Sequence, residues 1–178
     1  MSRARARCNH LSASAGTRYT LLDSMPAEFF RWLVNSPWSH AMNAYEWVFP
    51  AVQSCHFIGF ALSIGTIAIT DLRMLGFGMR RQTPAELAAD FGRWTLAGIA
   101  VMLVTGFLMF STDAVGYHNN PSFQFKMACL TAALLFYFTL HRRALRPGVP
   151  PILEKAAAVT SLLLWTGVVA GGRMIAFV

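Results

Sequence analysis

The stretch that decides the fold is residues 47–70, WVFPAVQSCHFIGFALSIGTIAIT, which contains no Asp, Glu, Lys or Arg. A helix needs about 20 mainly apolar residues to cross the hydrocarbon core of a bilayer, so this stretch is long enough to span a membrane. Three further windows resemble it: 94–112 is uncharged, 122–141 holds a single lysine, and 156–177 holds a single arginine. The sequence therefore predicts an all-α integral membrane protein, a bundle of four transmembrane helices.

The composition of the whole chain excludes the main soluble classes. Of its 178 residues, 55% are hydrophobic and 13% are charged, whereas soluble domains carry about 25% charged residues. Three cysteines are too few for a small domain held together by disulfides. The net charge of +7 does not indicate nucleic-acid binding, because the basic residues cluster between the apolar windows and form no face with stacking aromatics.

The N-terminal residues, 1–24, differ from the rest of the chain. They contain four arginines, and they lack the apolar stretch of about 7 to 15 residues that a secretory signal requires. We expect a disordered basic tail, or a true start at Met25. Residues 25–178 then form a single transmembrane domain, which opens with a short helix, AEFFRWLV, lying in the membrane interface.

Local signals mark where the helices begin and end. Ser36-Pro37 has the form of a cap and first turn, residues 83–86 (TPAE) resemble a capping box, and residues 119–122 (NNPS) indicate the start of the third span. Residues 146–151 (RPGVPP) break the chain before the fourth span. Small residues inside the spans predict close helix contacts; they are Gly59, Ser63, Gly65, Gly171 and Gly172.

The distribution of Lys and Arg predicts the orientation in a bacterial inner membrane. Eight basic residues lie in the two loops that follow the first and third spans: Arg73, Arg80, Arg81, Arg93, Arg142, Arg143, Arg146 and Lys155. Three lie near the opposite ends of the spans: Arg31, Lys126 and Arg173. Because basic loops stay in the cytoplasm, we expect both termini on the non-cytoplasmic side.

Three ionisable residues, His56, Lys126 and Arg173, lie inside the predicted spans, where such residues usually face the bundle interior and carry function. From the rise of about 1.5 Å per residue, His56 lies about 13 Å below the outer boundary, and Lys126 and Arg173 lie about 6 to 8 Å below it. A haem b would place its iron near His56 and its propionates near the two cations. Met102, about 15 Å below the same boundary, would be the sixth ligand.

Two alternative interpretations remain open. Copper(I) prefers sulfur ligands, and the outer half of the bundle contains Cys55, Cys129, Met102, Met109 and Met127. Alternatively, His56 only forms a hydrogen bond with a neighbouring helix, through Ser54 or Thr105, and the protein is a structural accessory subunit without a cofactor.

The remaining histidines of the spans and their loops are weaker candidates for a metal site. We expect His40 and His118 on the outer side, near the membrane surface. Three roles fit them there: a metal pair, pH sensors or ordinary loop residues. His141 closes the third helix at the interface, about 28 Å below the outer boundary, so it cannot bind the same atom as His56. Asp71 ends the first helix, where we expect a local ion pair or a cap in preference to proton transfer.

The order of His56 in HFIGFALSIG, Lys126 in FQFKMACLTAALL, and His141 resembles the small four-helix membrane proteins grouped around the copper-resistance protein CopD and the haem-linked protoporphyrinogen oxidase HemJ. The resemblance covers residues 45–178 and implies a bundle that handles haem or copper. His56 and Lys126 are the positions that match these families best. The chain departs from HemJ-like proteins at TDLRMLG, where they have Pro-Arg and further histidines, and at Gln124, where they often have His. These departures argue against porphyrinogen oxidation, and the lack of a long multi-span extension argues against copper import.

Taken in order of preference, the sequence predicts three functions. The first is an inner-membrane protein that binds haem b and transfers electrons, as a subunit or partner of a respiratory oxidoreductase. The second is a copper-handling membrane protein, and the third is the accessory subunit without a cofactor.

Overall fold

The computed structural model describes residues 25–78 and 81–177, which form helices joined by short loops. The helices are α1 (Met25–Val34), α2 (Pro37–Ala44), α3 (Val48–Met74), α4 (Pro84–Thr112), α5 (Ala114–Asn119), α6 (Pro121–Phe136), a π-helical turn (Tyr137–His141), α7 (Arg142–Ala144), α8 (Pro151–Met174) and a closing 3-10 turn (Ile175–Phe177). Within these residues there is no strand, so the predicted all-α class is confirmed. The tail predicted to be disordered, residues 1–24, lies outside the described residues.

Four of these segments are long and apolar enough to cross a membrane, as predicted. Most of their bounds are wider than the apolar windows: α3 extends to Met74, α4 begins at Pro84, and the third span runs over Pro121–Ala144. The fourth is shifted, since α8 covers Pro151–Met174 instead of residues 156–177. The differences arise because a window ends at the first charged residue, whereas a helix ends where its backbone is capped or broken.

The predicted caps are confirmed, and they explain these bounds. Thr83 and Glu86 form a complete capping box that starts α4, so residues 84–93 are continuous with the second span. Asn120 caps α6 by accepting hydrogen bonds from the backbone of Ser122 and Phe123. Gly148, with φ of +86°, forms the turn before Pro151, a backbone conformation that glycine adopts without strain.

Residues from all four spans meet in one buried core, made up of Ile67, Ile99, Met102, Leu130, Ala133, Tyr137, Trp165 and Val168. Helix α3 packs most extensively on α4, α6 packs on α8, and α3 also packs on α8. Large apolar side chains such as Phe57, Val104 and Leu163 are exposed on the outside of the bundle. This is the arrangement expected of a bundle whose outer surface faces lipid tails.

Small residues bring the spans together, as predicted, with one exception. A Cβ atom at Gly98 of α4 would lie 2.7 Å from the backbone nitrogen of Ser63 on α3. A Cβ atom at Gly171 of α8 would lie 3.0 Å from the Cβ of Lys126 on α6. The prediction is wrong for Gly65, where a Cβ atom would meet nothing within 4 Å, because Gly65 lies on an exposed face of α3.

The two ends of the bundle differ in chemistry. One end, which we call the basic end, carries the α3–α4 and α7–α8 loops with Arg81 and Arg146. The other, which we call the aromatic end, joins α4 to α6 through the stacked rings of Phe110 and Phe123, whose centroids are 5.3 Å apart. There the buried side chain of Leu33 anchors α1.

Helix α1 also exposes Phe29 and Trp32, side chains that suit the membrane interface.

Candidate functional site

His56 is half-buried on α3 and faces α4. Its ring nitrogen Nδ1 lies 2.9 Å from the hydroxyl oxygen of Thr105. The His56 ring packs against α4 at Gly106, where a Cβ atom would lie 3.2 Å from the ring. The Thr105 hydroxyl donates its own hydrogen to the carbonyl of Val101, at 2.6 Å. Because that hydrogen is already used, the hydroxyl oxygen accepts from His56, and Nδ1 carries the proton.

This tautomer leaves the second ring nitrogen of His56, Nε2, with its lone pair. No hydrogen bond to Nε2 is formed within the described residues. A neutral histidine whose Nδ1 is held by a hydrogen bond and whose Nε2 is free has the form in which proteins present histidine to a metal.

Lys126 belongs to the same region as His56. It is half-buried at the α6–α8 contact, where its Cε and Nζ would lie 3.7 and 3.8 Å from a Cβ at Gly172. Its positive charge interacts electrostatically with His56. The lysine stem therefore lies beside α8 at Gly172, and its charge is near enough to His56 to act on it.

The other two residues of the predicted haem site differ from each other in burial. Met102 is 4% exposed and belongs to the buried core, and its backbone nitrogen would lie 3.0 Å from a Cβ at Gly59. Arg173 is exposed in the last turn of α8, directly after Gly172, whose Cβ position lies near the Lys126 stem.

The sulfur atoms of the alternative copper site are spread between the surface and the core. Cys55 and Met127 are exposed, Cys129 and Met109 are half-buried, and Met102 is buried. The Sγ atom of Cys129 lies 2.9 Å from the position of a Cβ at Gly167 on α8, so this cysteine fills a helix contact. Within the described residues no group of three or more His, Cys, Asp or Glu side chains is placed to hold a metal.

His40 and His118 lie at the aromatic end and are both exposed. The His118 ring lies against Phe30 of α1, with centroids 4.8 Å apart. Next to it, burial and the Asp113 carboxylate raise the pKa of the Tyr117 phenol above its usual value. These contacts give His118 a packing role between α1 and α5.

A second polar site, which the sequence did not predict, lies at the basic end. Nε2 of His141 is 2.6 Å from Oδ1 of Asp71, and the two side chains are 2% and 0% exposed. The prediction placed His141 at the membrane interface, at the end of its helix, and at that end its side chain points into the bundle. The expected local role of Asp71 is wrong, since Arg73 donates instead to the carbonyl of Gln82, at 2.7 Å.

The π-helical turn Tyr137–His141 positions this pair. A π-turn inserts one extra residue into an α-helix and so rotates the residues that follow it. His141 is the last residue of the turn, and its ring stacks on Tyr137 with centroids 5.5 Å apart. The extra residue places His141 opposite Asp71 of α3.

A cavity of about 60 Å³ adjoins the pair. It is lined by Ile67, Thr70, Ala88, Gly92, Thr95, Tyr137, His141, Arg142 and Leu145. Among residues 25–78 and 81–177, two buried atoms of the pair, Nδ1 of His141 and Oδ2 of Asp71, have no hydrogen-bond partner. Buried polar atoms in proteins are nearly always bonded to protein or to water, so the pair requires water or another small partner.

Comparison with known proteins gives a family for the chain and no activity. The family model of unknown function, DUF6644, matches residues 29–178. The chain belongs to the DUF6644 family. No curated protein and no solved structure matches it significantly.

The matched region contains both polar sites of this DUF6644 chain, the one at His56 and Lys126 and the one at Asp71 and His141. Sequence reasoning found the first site because both residues interrupt apolar windows. It missed the second because Asp71 lies two residues before Arg73, and His141 directly before Arg142, so both were assigned to the charged ends of their helices. The signal that could have found it is the apolar run on both sides of Asp71, IAITDLRML, which continues the helix past the carboxylate.

Proposed function

We propose that this protein binds haem b in the outer half of a bacterial inner membrane and transfers electrons, with His56 as an axial ligand. The observation that carries the proposal is the hydrogen bond from His56 Nδ1 to Thr105, at 2.9 Å, which leaves Nε2 free to bind iron. Haem iron, when bound, supplies one-electron chemistry, and the axial ligand and its hydrogen bonds tune the potential. The likeness of the sequence to the CopD and HemJ groups also supports a haem or copper function.

The cation next to His56 is the second support for the proposal. Lys126 lies within electrostatic range of His56 and in a half-buried position, where a positive charge needs an anionic partner. A propionate would neutralise it. Arg173, exposed in the last turn of α8, would bind the second propionate, and Met102 would be the sixth ligand.

The remaining parts of the proposal concern location and partners. The excess of Lys and Arg in the α3–α4 and α7–α8 loops supports an orientation with both termini on the non-cytoplasmic side. A haem in the outer half of such a bundle suits exchange of electrons with a respiratory oxidoreductase, of which the chain would be a subunit or partner.

The test is the absorption spectrum of the full chain purified in detergent without added haem. We expect a Soret band that is lost in His56→Ala and retained in His40→Ala, a matched control in an exposed histidine. Thr105→Val, which removes the acceptor but keeps the shape, should weaken haem retention about 10- to 100-fold. Lys126→Gln should keep the spectrum and change retention or potential, because charge pairing and ligation are different contributions.

Two results would overturn the haem proposal. Full haem retention by folded His56→Ala would move the ligand elsewhere. Purified protein without a Soret band would contradict haem binding, and elemental analysis would then separate a copper protein from a structural subunit that has no cofactor.

A further inference from the structure

In the described part of the chain, the Asp71–His141 pair is more deeply buried than the other charged side chains of the basic end. Asp71 is the carboxylate that pairs with His141. The other charged side chains at the basic end are half-buried (Arg73, Glu154) or exposed (Arg81, Glu86, Asp90, Arg93, Arg142, Arg143, Arg146, Lys155). The pair is therefore a buried acid and a buried base with one another as their charged partners.

The hydrogen atoms of the pair can be counted. With His141 neutral, its Nε2 donates to Oδ1 of Asp71 at 2.6 Å, and its Nδ1 presents a lone pair. The Thr70 hydroxyl donates to the carbonyl of Thr66 at 3.1 Å, so its oxygen also presents lone pairs. Thr70 and His141 both line the cavity. A water molecule in the cavity would lie beside both residues.

The residues around the cavity indicate which kind of molecule it can hold. Arg142 lines the cavity and disfavours a metal cation, and within the described residues no third His, Cys, Asp or Glu joins the pair. The carboxylate of Asp71, in contact with His141, disfavours an anion. A volume of about 60 Å³ holds water-sized molecules, and polar buried sites of this size are normally hydrated.

We propose that Asp71, His141 and the adjoining cavity form a proton-binding site that exchanges protons with water at the basic end of the bundle. A hydronium ion reaching the cavity transfers a proton to Nδ1 of His141: one O–H bond breaks, one N–H bond forms, and a water molecule remains. The imidazolium is held by the Asp71 carboxylate. No electron moves, and each chain binds one proton. The site lies at the end of α3 opposite to His56, and it does not depend on haem.

The test is solid-state NMR of the full chain, labelled with ¹⁵N-histidine and reconstituted in lipid bilayers, across the pH range in which it stays folded. The His141 signals are identified by their loss in His141→Gln. We expect magnetisation transfer from water to Nδ1 of His141 and a change of Nδ1 from unprotonated to protonated as the pH falls. A His141 ring that shows no contact with water, or one protonation state throughout, would overturn the proposal.

A pair of glycine variants tests whether protons reach His141 through the cavity. Gly92 lines the cavity and a Cβ there meets nothing within 4 Å, so Gly92→Leu should fill the space. Proton exchange at His141 should then slow by about tenfold or more, because access would require transient opening of packed helices. Gly65→Leu, at an open position on α3, should leave the rate unchanged. Equal rates in Gly92→Leu and the parent, or equal slowing in both variants, would contradict the assignment.

Discussion

Two histidines of the same chain use opposite ring nitrogens, and this difference separates their roles. His56 engages Nδ1 with a neutral hydroxyl, whereas His141 engages Nε2 with a carboxylate. A half-buried ring bonded to a hydroxyl leaves Nε2 for a ligand. A fully buried ring bonded to a carboxylate compensates a charge that would otherwise be buried alone, which is costly in any protein interior.

Removing each ring should therefore have different effects on stability. His141→Ala should lower the free energy of unfolding by about 3 to 5 kcal/mol, because Asp71 is left buried without a partner. His56→Ala should cost about 1 kcal/mol, as is typical of a hydrogen bond between membrane helices. Equilibrium unfolding in detergent measures both.

The double variant Asp71→Asn/His141→Ala is the control for this comparison. It should be more stable than His141→Ala alone, because the neutral amide carries no charge. A loss below about 1 kcal/mol for His141→Ala would contradict a buried Asp71 carboxylate that depends on His141 as its hydrogen-bond partner.

At the scale of elements, the close packing of α3 on α4 depends on the absence of a side chain at Gly98. The position of a Cβ at Gly98 is 2.8 Å from the carbonyl oxygen of Gly59 and 2.7 Å from the backbone nitrogen of Ser63. Both contacts are with backbone atoms, which cannot rotate away as a flexible side chain can. Above and below this contact the helices are linked by His56–Thr105 and Thr66–Thr95 hydrogen bonds, of 2.9 and 2.8 Å.

Substitution of two glycines tests this packing. Gly98→Ala should destabilise the protein by about 1 to 3 kcal/mol, because the helices must separate to admit one methyl group. Gly65→Ala, which meets nothing within 4 Å, should be neutral or stabilise by up to about 1 kcal/mol through helix propensity. Thermal unfolding of the two variants in the same detergent measures the difference. Equal stability of the two would show that α3 and α4 are not held at this distance.

At the scale of the whole molecule, the four antiparallel spans put the basic loops at one end and the aromatic residues at the other. Ser39 of α2 donates to the carbonyl of Ser111 at 2.9 Å, so the N-terminal helices are fastened to the aromatic end. The positive-inside tendency predicts that the basic end remains in the cytoplasm.

Labelling of single cysteines tests this orientation, in a chain whose native cysteines have been replaced. Asn119→Cys, exposed at the aromatic end, should react with a membrane-impermeant reagent added to intact cells. Pro147→Cys, exposed at the basic end, should react only after the membrane is opened. The reverse pattern would mean that the arginines of residues 1–24 determine the topology.

The sequence by itself determined the features that depend on neighbours along the chain. The four spans could be predicted because the transfer of an apolar segment into lipid depends on the segment's own composition. The caps at Thr83 and Asn120 could be predicted because a cap bonds to backbone groups two or three residues away.

Only the tertiary structure decided which polar residues meet. Asp71 and His141 are 70 residues apart in the chain, and their contact depends on the rotation of His141 by the π-turn, which no hydropathy pattern records. His56 could be selected as a site residue because it interrupts an apolar run, but the tautomer that leaves Nε2 free depends on Thr105 of another helix. Contacts between helices depend on rotation and on small residues at the crossing, and neither changes the hydropathy from which the spans were predicted.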